Sequence, residues 1–163
     1  MAKRILVAVF SKSGNTRRIA DHIHESVGGT IFEIQSEVPY PNDYNAIVEQ
    51  AKKEIRAGHK PALKTKVDNI EAYDTVFVGS PNWWSTIAPP VATFLSEYDL
   101  LGKTVVPFCT HGGGGAGRIF TDIAALCPQA TVLNGLEVYG DGGGNAKATI
   151  SQWLHKIGVG KVI

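Results

Sequence analysis

An α/β fold, a five-stranded parallel sheet between two layers of helices, is what this sequence predicts. Three observations carry it. β-rich runs recur at about 4–10, 30–35, 74–80, 103–109 and 131–139. Helical patterns fall between or after them at about 15–27, 43–57, 88–98, 116–126 and 145–157. Every Ser-, Gly- or Trp-rich loop follows a strand. Strict alternation implies parallel strands joined by right-handed crossovers, hence a doubly wound, three-layer α/β/α arrangement. Open sheets of this kind bind ligands outside the carboxyl ends of their strands, near the point where strand order reverses. Three candidate loops on one rim therefore direct attention there.

The first strand, Ile5-Leu6-Val7-Ala8-Val9-Phe10, is uncharged and β-rich, as a strand buried on both faces should be. Ser11-Lys12-Ser13-Gly14-Asn15-Thr16 joins it to a helix with Ile19, Ala20, Ile23 and Val27 at helical spacing. Capping that helix needs only one such residue, Ser13 or Asn15. Four hydroxyl or amide side chains in six positions instead suggest a phosphate cradle, where unpaired N–H groups and the helix dipole favour an anion. It is not a Walker loop. Gly102-Lys103-Thr104 supplies only the tail of that motif, with Glu97 in place of the first glycine, and it precedes a strand.

The second crossover, Ser36 to Tyr73, is longer than one helix needs. Its prolines, Pro39 and Pro41, preset an extended or turning backbone, and Asn42 or Asp43 is placed to cap the next helix. Lys52, Lys53, Arg56, Lys60, Lys64 and Lys66 then face the single acid Glu54. This patch reads as a solvated helix face, or as a docking surface for an acidic partner or a nucleotide phosphate.

After the third strand, Thr75-Val76-Phe77-Val78-Gly79, comes Ser80-Pro81-Asn82-Trp83-Trp84-Ser85-Thr86. Adjacent residues of an extended segment point opposite ways, so both tryptophans cannot enter one core, and at least one is expected to cover a flat ligand. Pro89 and Pro90 suit the first turn of the following helix. The fourth strand, Val105-Val106-Pro107-Phe108-Cys109, ends in Thr110-His111-Gly112-Gly113-Gly114-Gly115-Ala116-Gly117, where dense glycine lets backbone approach a ligand. Gly112, Gly114 and Gly117, with Glu137 about twenty residues on, formally match a dinucleotide fingerprint. Consecutive glycines satisfy many such patterns, however, and that fingerprint usually follows the first strand. His111 is placed to bond a ligand carbonyl or a loop backbone.

Composition bounds the rest. Hydrophobic residues at 44% and charged residues at 19% fit one soluble domain over residues 1–163. A net charge of +1 argues against a general nucleic-acid binder, and no apolar run approaches a membrane span. Cys109 and Cys127 read as small buried residues, and with no signal peptide the expected location is cytoplasmic. Thiolate-phosphatase chemistry fails on the spacing of Cys109 and Arg118, and receiver chemistry on the missing acidic pair after the first strand. No metal ligand set is expected, since His22 and His24 face different ways on their helix.

In their order on one rim, the three loops resemble those of the flavodoxin family. The closer resemblance is to its short members with Pro-Asn-Trp-Trp and Thr-His-Gly-Gly loops, here Pro81-Asn82-Trp83-Trp84 and Thr110-His111-Gly112-Gly113. Pro39-Tyr40-Pro41 through Tyr44, and Cys127-Pro128, fit too, and the similarity runs from about Lys3 to Ile157. It implies non-covalent FMN. Ser11, Ser13, Asn15 and Thr16 would bind the 5′-phosphate, with Lys12 and Gly14 giving backbone N–H. Pro81, Asn82, Trp83 and Trp84 would flank the isoalloxazine near N5, Thr110, His111, Gly112 and Gly113 would meet its pyrimidine edge, and Tyr44 would lie over it. No insertion interrupts the fifth strand, as in the short-chain members, and Asn82 is the residue expected to tolerate a positive φ. Well-studied members are strongly acidic and this chain is not. The implied function is electron carriage between a reductase and an acceptor protein. The alternatives are an NAD(P)H-dependent FMN oxidoreductase acting on quinones or similar acceptors, and a non-redox nucleotide-binding regulatory module.

Overall fold

The computed structural model describes residues 4–159. The parallel sheet has the order β2-β1-β3-β4-β5, and β6 continues beyond β5 along the same edge of β4. Its strands are β1 (Ile5–Val9), β2 (Thr30–Glu33), β3 (Thr75–Pro81), β4 (Thr104–His111), β5 (Thr131–Val132) and β6 (Leu136–Tyr139). The helices are α1 (Asn15–Val27), α2 (Tyr44–Ala57), α3 (Pro89–Glu97), α4 (Ile119–Leu126) and α5 (Ala146–Lys156). Strand order reverses between β1 and β3, so the loops after those two strands flank the switch point.

Both sheet faces are covered, which is why β1, β3 and β4 have long runs of buried residues. On one face Val7, Val9, Phe77, Val106 and Phe108 pack with Ile19 and Ile23 of α1 and Ile150 and Trp153 of α5. On the other, Leu6, Ala8, Val76, Val78 and Val105 meet Val91 and Phe94 of α3 and Ile119 and Ile123 of α4. Gly79 makes room for Phe108: a Cβ there would lie 2.2 Å from its ring. By contrast α2 buries only Ala51. Asp43 caps it, accepting from Ala46 N–H at 2.9 Å.

The fifth strand is not continuous. Val105 pairs with Val132, whereas Phe108 pairs with Leu136, a slip of one residue. The cause lies in β4. Val105 C=O accepts from Leu133 N–H at 2.9 Å, so alternate residues of β4 face this strand and Pro107 is the next of them. Proline has no N–H to offer, and the ladder breaks opposite it. Gly135 suits the break, because a Cβ there would lie 2.5 Å from the Phe120 ring. The slip sets Tyr139 opposite His111 on the rim, their rings 5.9 Å apart.

One helix expectation also changes, and the capping alternative for α1 is not realised. The pattern at 116–126 becomes helical only at Ile119, since Gly117 holds φ +55°. Neither Ser13 nor Asn15 caps α1. Its N-cap is Gly14 at φ +99°, with no side-chain cap bond. No helix among the described residues is long and apolar enough to cross a membrane.

Candidate functional site

At the carboxyl ends of β1, β3 and β4 the three loops surround an open cavity of about 860 Å³, within the range of cofactor sites. The first loop contributes Lys12, Ser13 and Asn15, the second Pro81, Asn82, Trp83 and Trp84, and the third Thr110, His111 and Gly112. Ser11, Gly14, Thr16 and Gly113, expected to touch a ligand directly, do not line it. Ser11 Oγ accepts Gly14 N–H at 3.1 Å, committing the amide assigned to phosphate. Thr16 is buried, its hydroxyl bonded to that of Thr110 at 2.7 Å. These residues shape the cradle from behind. With the start of α1 uncapped, its remaining N–H groups and the Ser13 and Asn15 side chains are the donors presented to an anion.

The two tryptophans point opposite ways, because Trp83 pairs with Thr86 while Trp84 lies in the turn between them. Trp83 packs inward, edge-on to Phe10 at 5.4 Å and to Tyr40 at 5.1 Å between ring centroids. Tyr40 O–H donates to Glu54 Oε1 at 2.5 Å; burial, and then this carboxylate, hold the phenol far above its ordinary range. Trp84 turns outward and is 46% exposed. Its Nε1–H donates to Val48 C=O at 2.9 Å, and the Lys52 ammonium stands 5.3 Å from its ring centroid.

Trp83 and Thr86 exchange both backbone hydrogen bonds around Trp84 and Ser85, whose φ values are +57° and +67°. Two left-handed central residues are the pattern of a type I′ turn, normally made with Asn-Gly. The positive φ expected at Asn82 falls on this pair, at a cost of about 1–2 kcal/mol per residue. Asn82 braces the turn instead. Its Oδ1 accepts Ser85 N–H at 2.9 Å and its Nδ2 donates to Gly115 C=O at 2.7 Å, tying the second loop to the third. Arg118 N–H donates to Ser85 C=O at 2.6 Å, and Gly117 is required because a Cβ would come within 2.7 Å of that oxygen.

In the third loop, His111 Nδ1 accepts Gly113 N–H at 3.1 Å, the backbone alternative of the two expected, leaving Nε2 as the ring's donor. Glu137, formally a ribose-binding acid, accepts Ala116 N–H at 3.0 Å and so steadies the glycines. Among the wall residues that sequence reasoning missed are Ile47, Val48 and Ala51 of α2, and Tyr139. The first three have ordinary helical spacing, and the last was hidden by the register slip.

The family model for flavodoxin matches residues 4–157. The chain belongs to the flavodoxin family. Solved relatives agree. A protein assigned as a flavoprotein from Bacteroides eggerthii shares 35% identity at TM-score 0.85, over 96% of this chain and 99% of that one. Another so assigned, from Bacteroides uniformis, shares 30% at TM-score 0.84, over 95% and 99%. A flavoprotein from Lactobacillus acidophilus, solved in complex with FMN, shares the fold at 23% identity and TM-score 0.72, over 86% of this chain and 95% of that one. No curated protein matches the chain.

Proposed function

We propose that this flavodoxin-family protein binds FMN on the switch-point rim and carries electrons between protein partners. The observation that supports this most is how the polar side chains around the cavity are used. Asn82 and Thr110 are engaged with the protein's own loops, as is Nδ1 of His111. The site therefore supplies a stiff bed of backbone amides and aromatic faces more than a general acid or a nucleophile. That bed suits a group that brings its own chemistry.

The residues fit FMN. The uncapped start of α1, with Ser13, Asn15 and the Lys12 ammonium nearby, provides for a phosphate. Trp83, Trp84 and Tyr44 supply aromatic walls, and Ile47 and Val48 an apolar one. When bound, FMN supplies one- and two-electron redox chemistry. The protein holds the phosphate, orients the ring against the Trp83–Thr86 turn and excludes water through α2. The lack of a strong acidic balance distinguishes this chain from the well-studied carriers.

The test is direct. Apoprotein titrated with FMN should quench the flavin's fluorescence with one-to-one stoichiometry and bind riboflavin far more weakly. The photoreduced holoprotein should then pass electrons to a ferric cytochrome without nicotinamide present. Failure to bind FMN rejects the cofactor. Reduction by NADPH alone, at a rate that matches turnover of a small acceptor, favours the oxidoreductase.

A further inference from the structure

The charge of this chain is divided unevenly, and the division follows the site. Six of its sixteen cations and one of its fifteen acids lie between positions 52 and 66, leaving ten cations against fourteen acids elsewhere. The segment is the second half of α2 and the chain that follows. The first half of α2 walls the cavity through Tyr44, Ile47 and Val48. Lys52 marks the join, its ammonium over Trp84 at the cavity edge. Beyond it Lys53, Arg56, Lys60 and Lys64 are all exposed, and among the described residues none has a carboxylate within 4.0 Å.

The nearby acids do little to offset them. Glu54 accepts from Tyr40 O–H and from Gln50 Nε2, so its charge is drawn inward. Asp43 caps α2, and Glu97 sits 3.9 Å from Lys66. Asp122, across a cleft from Lys60, pairs with Arg118. The acids that remain are Glu49, exposed one helical turn before Lys53, and Glu37, exposed on the segment that bonds to Ala62 beside Lys64. Tyr44 and Trp84, 77% and 46% exposed, add aromatic surface at the rim of the same face.

We infer that this basic face of α2, with its aromatic rim, docks the acidic surface of a protein redox partner and brings it to the edge of the cofactor cavity. The inference rests on the carrier reading above. A positive face beside the cavity edge concentrates an acidic partner and orients it before contact, acting mainly on the association rate. Several like charges spread over an exposed helix and loop match an extended acidic surface better than one phosphate group, and no pocket collects them around a single point.

The experiment uses photoreduced holoprotein with two ferric acceptors, cytochrome b5 (acidic) and cytochrome c (basic), in stopped flow at rising ionic strength. The expected result is about a tenfold or greater fall in the cytochrome b5 rate between about 20 and 300 mM salt, with a flat or opposite trend for cytochrome c. Reversing the patch with K53E/R56E/K60E/K64E should invert the cytochrome b5 trend, while the milder K53Q/R56Q/K60Q/K64Q should flatten it. Neither variant touches the cavity, so FMN affinity and the flavin spectrum should stay unchanged and report that the fold is intact. Unaltered salt dependence in both variants overturns the docking inference and leaves the carrier reading standing. If neither cytochrome is reduced at any ionic strength, the carrier reading falls and the inference with it. An unchanged cytochrome b5 trend, together with a selective rise in KM for NADPH over NADH, overturns docking and assigns the patch to nucleotide phosphate.

Discussion

The hydroxyls of Thr16 and Thr110, 94 residues apart, meet at 2.7 Å beneath the cavity, both side chains buried. This bond fixes the first loop against the third. Removing one partner leaves the other unsatisfied, at a cost of about 1–3 kcal/mol. Thr16→Val and Thr110→Val are each expected to lower stability by that amount, read from urea midpoints. FMN titration should show at least a tenfold loss of affinity, and Thr16→Ser should restore most of both.

The Trp84–Ser85 turn gives a prediction of opposite sign. Glycine adopts positive φ without the steric cost that Ser85 bears at +67°. Ser85→Gly should therefore raise stability by about 1 kcal/mol, since the bonds this turn makes through Ser85 use only its backbone. Asn82→Ala should lower it by about 2 kcal/mol and loosen the Gly112–Gly117 loop, visible as faster amide exchange there.

Gly79→Ala tests the crossing of β3 by the Phe108 ring. A methyl group 2.2 Å from that ring forces the sheet or the ring to move. The expected loss is about 3 kcal/mol in thermal or chemical unfolding. Gly79→Ala with Phe108→Leu should recover part of it.

The two cysteines predict an alkaline limit. Burial, with Glu137 adding to it, pushes the Cys109 thiol up from 9.0 to about 12, and burial alone pushes Cys127 up from 9.0 to about 11. Between those values the native state keeps protons that the unfolded chain has released, so stability falls as pH rises from about 9 towards 12. The contribution is present in full below pH 9.0. Cys109→Ala should make the decline in urea midpoint shallower over that range, and native protein should react with a thiol reagent only at its unfolding rate.

Much of the architecture was legible before the structure. The uncharged runs at β1, β3 and β4 and the spacing of Ile19 and Ile23 are strong periodic signals, because burial on two faces leaves no room for polar residues. The separation of the two tryptophans was expected from strand alternation, but a left-handed turn at Trp84 and Ser85 produces it. The rest depends on atoms distant in the chain. Nothing near Leu133 announces that the missing N–H of Pro107 will break its pairing. Asn82 carries the residue type suited to positive φ, yet the hairpin places that conformation two residues later and uses the Asn82 amide as a brace. Thr16 reads as a ligand donor until Thr110 is found beside it.

α2 buries one residue, while Ile47 and Val48 look into the cavity. An FMN ring filling that space would finish packing that the polypeptide leaves incomplete. Empty protein should therefore shed this helix to a protease at Lys53 or Arg56 well before the sheet yields, and loaded protein should resist. Susceptibility to trypsin would then report occupancy, and a cell could clear unfilled copies by the same rule.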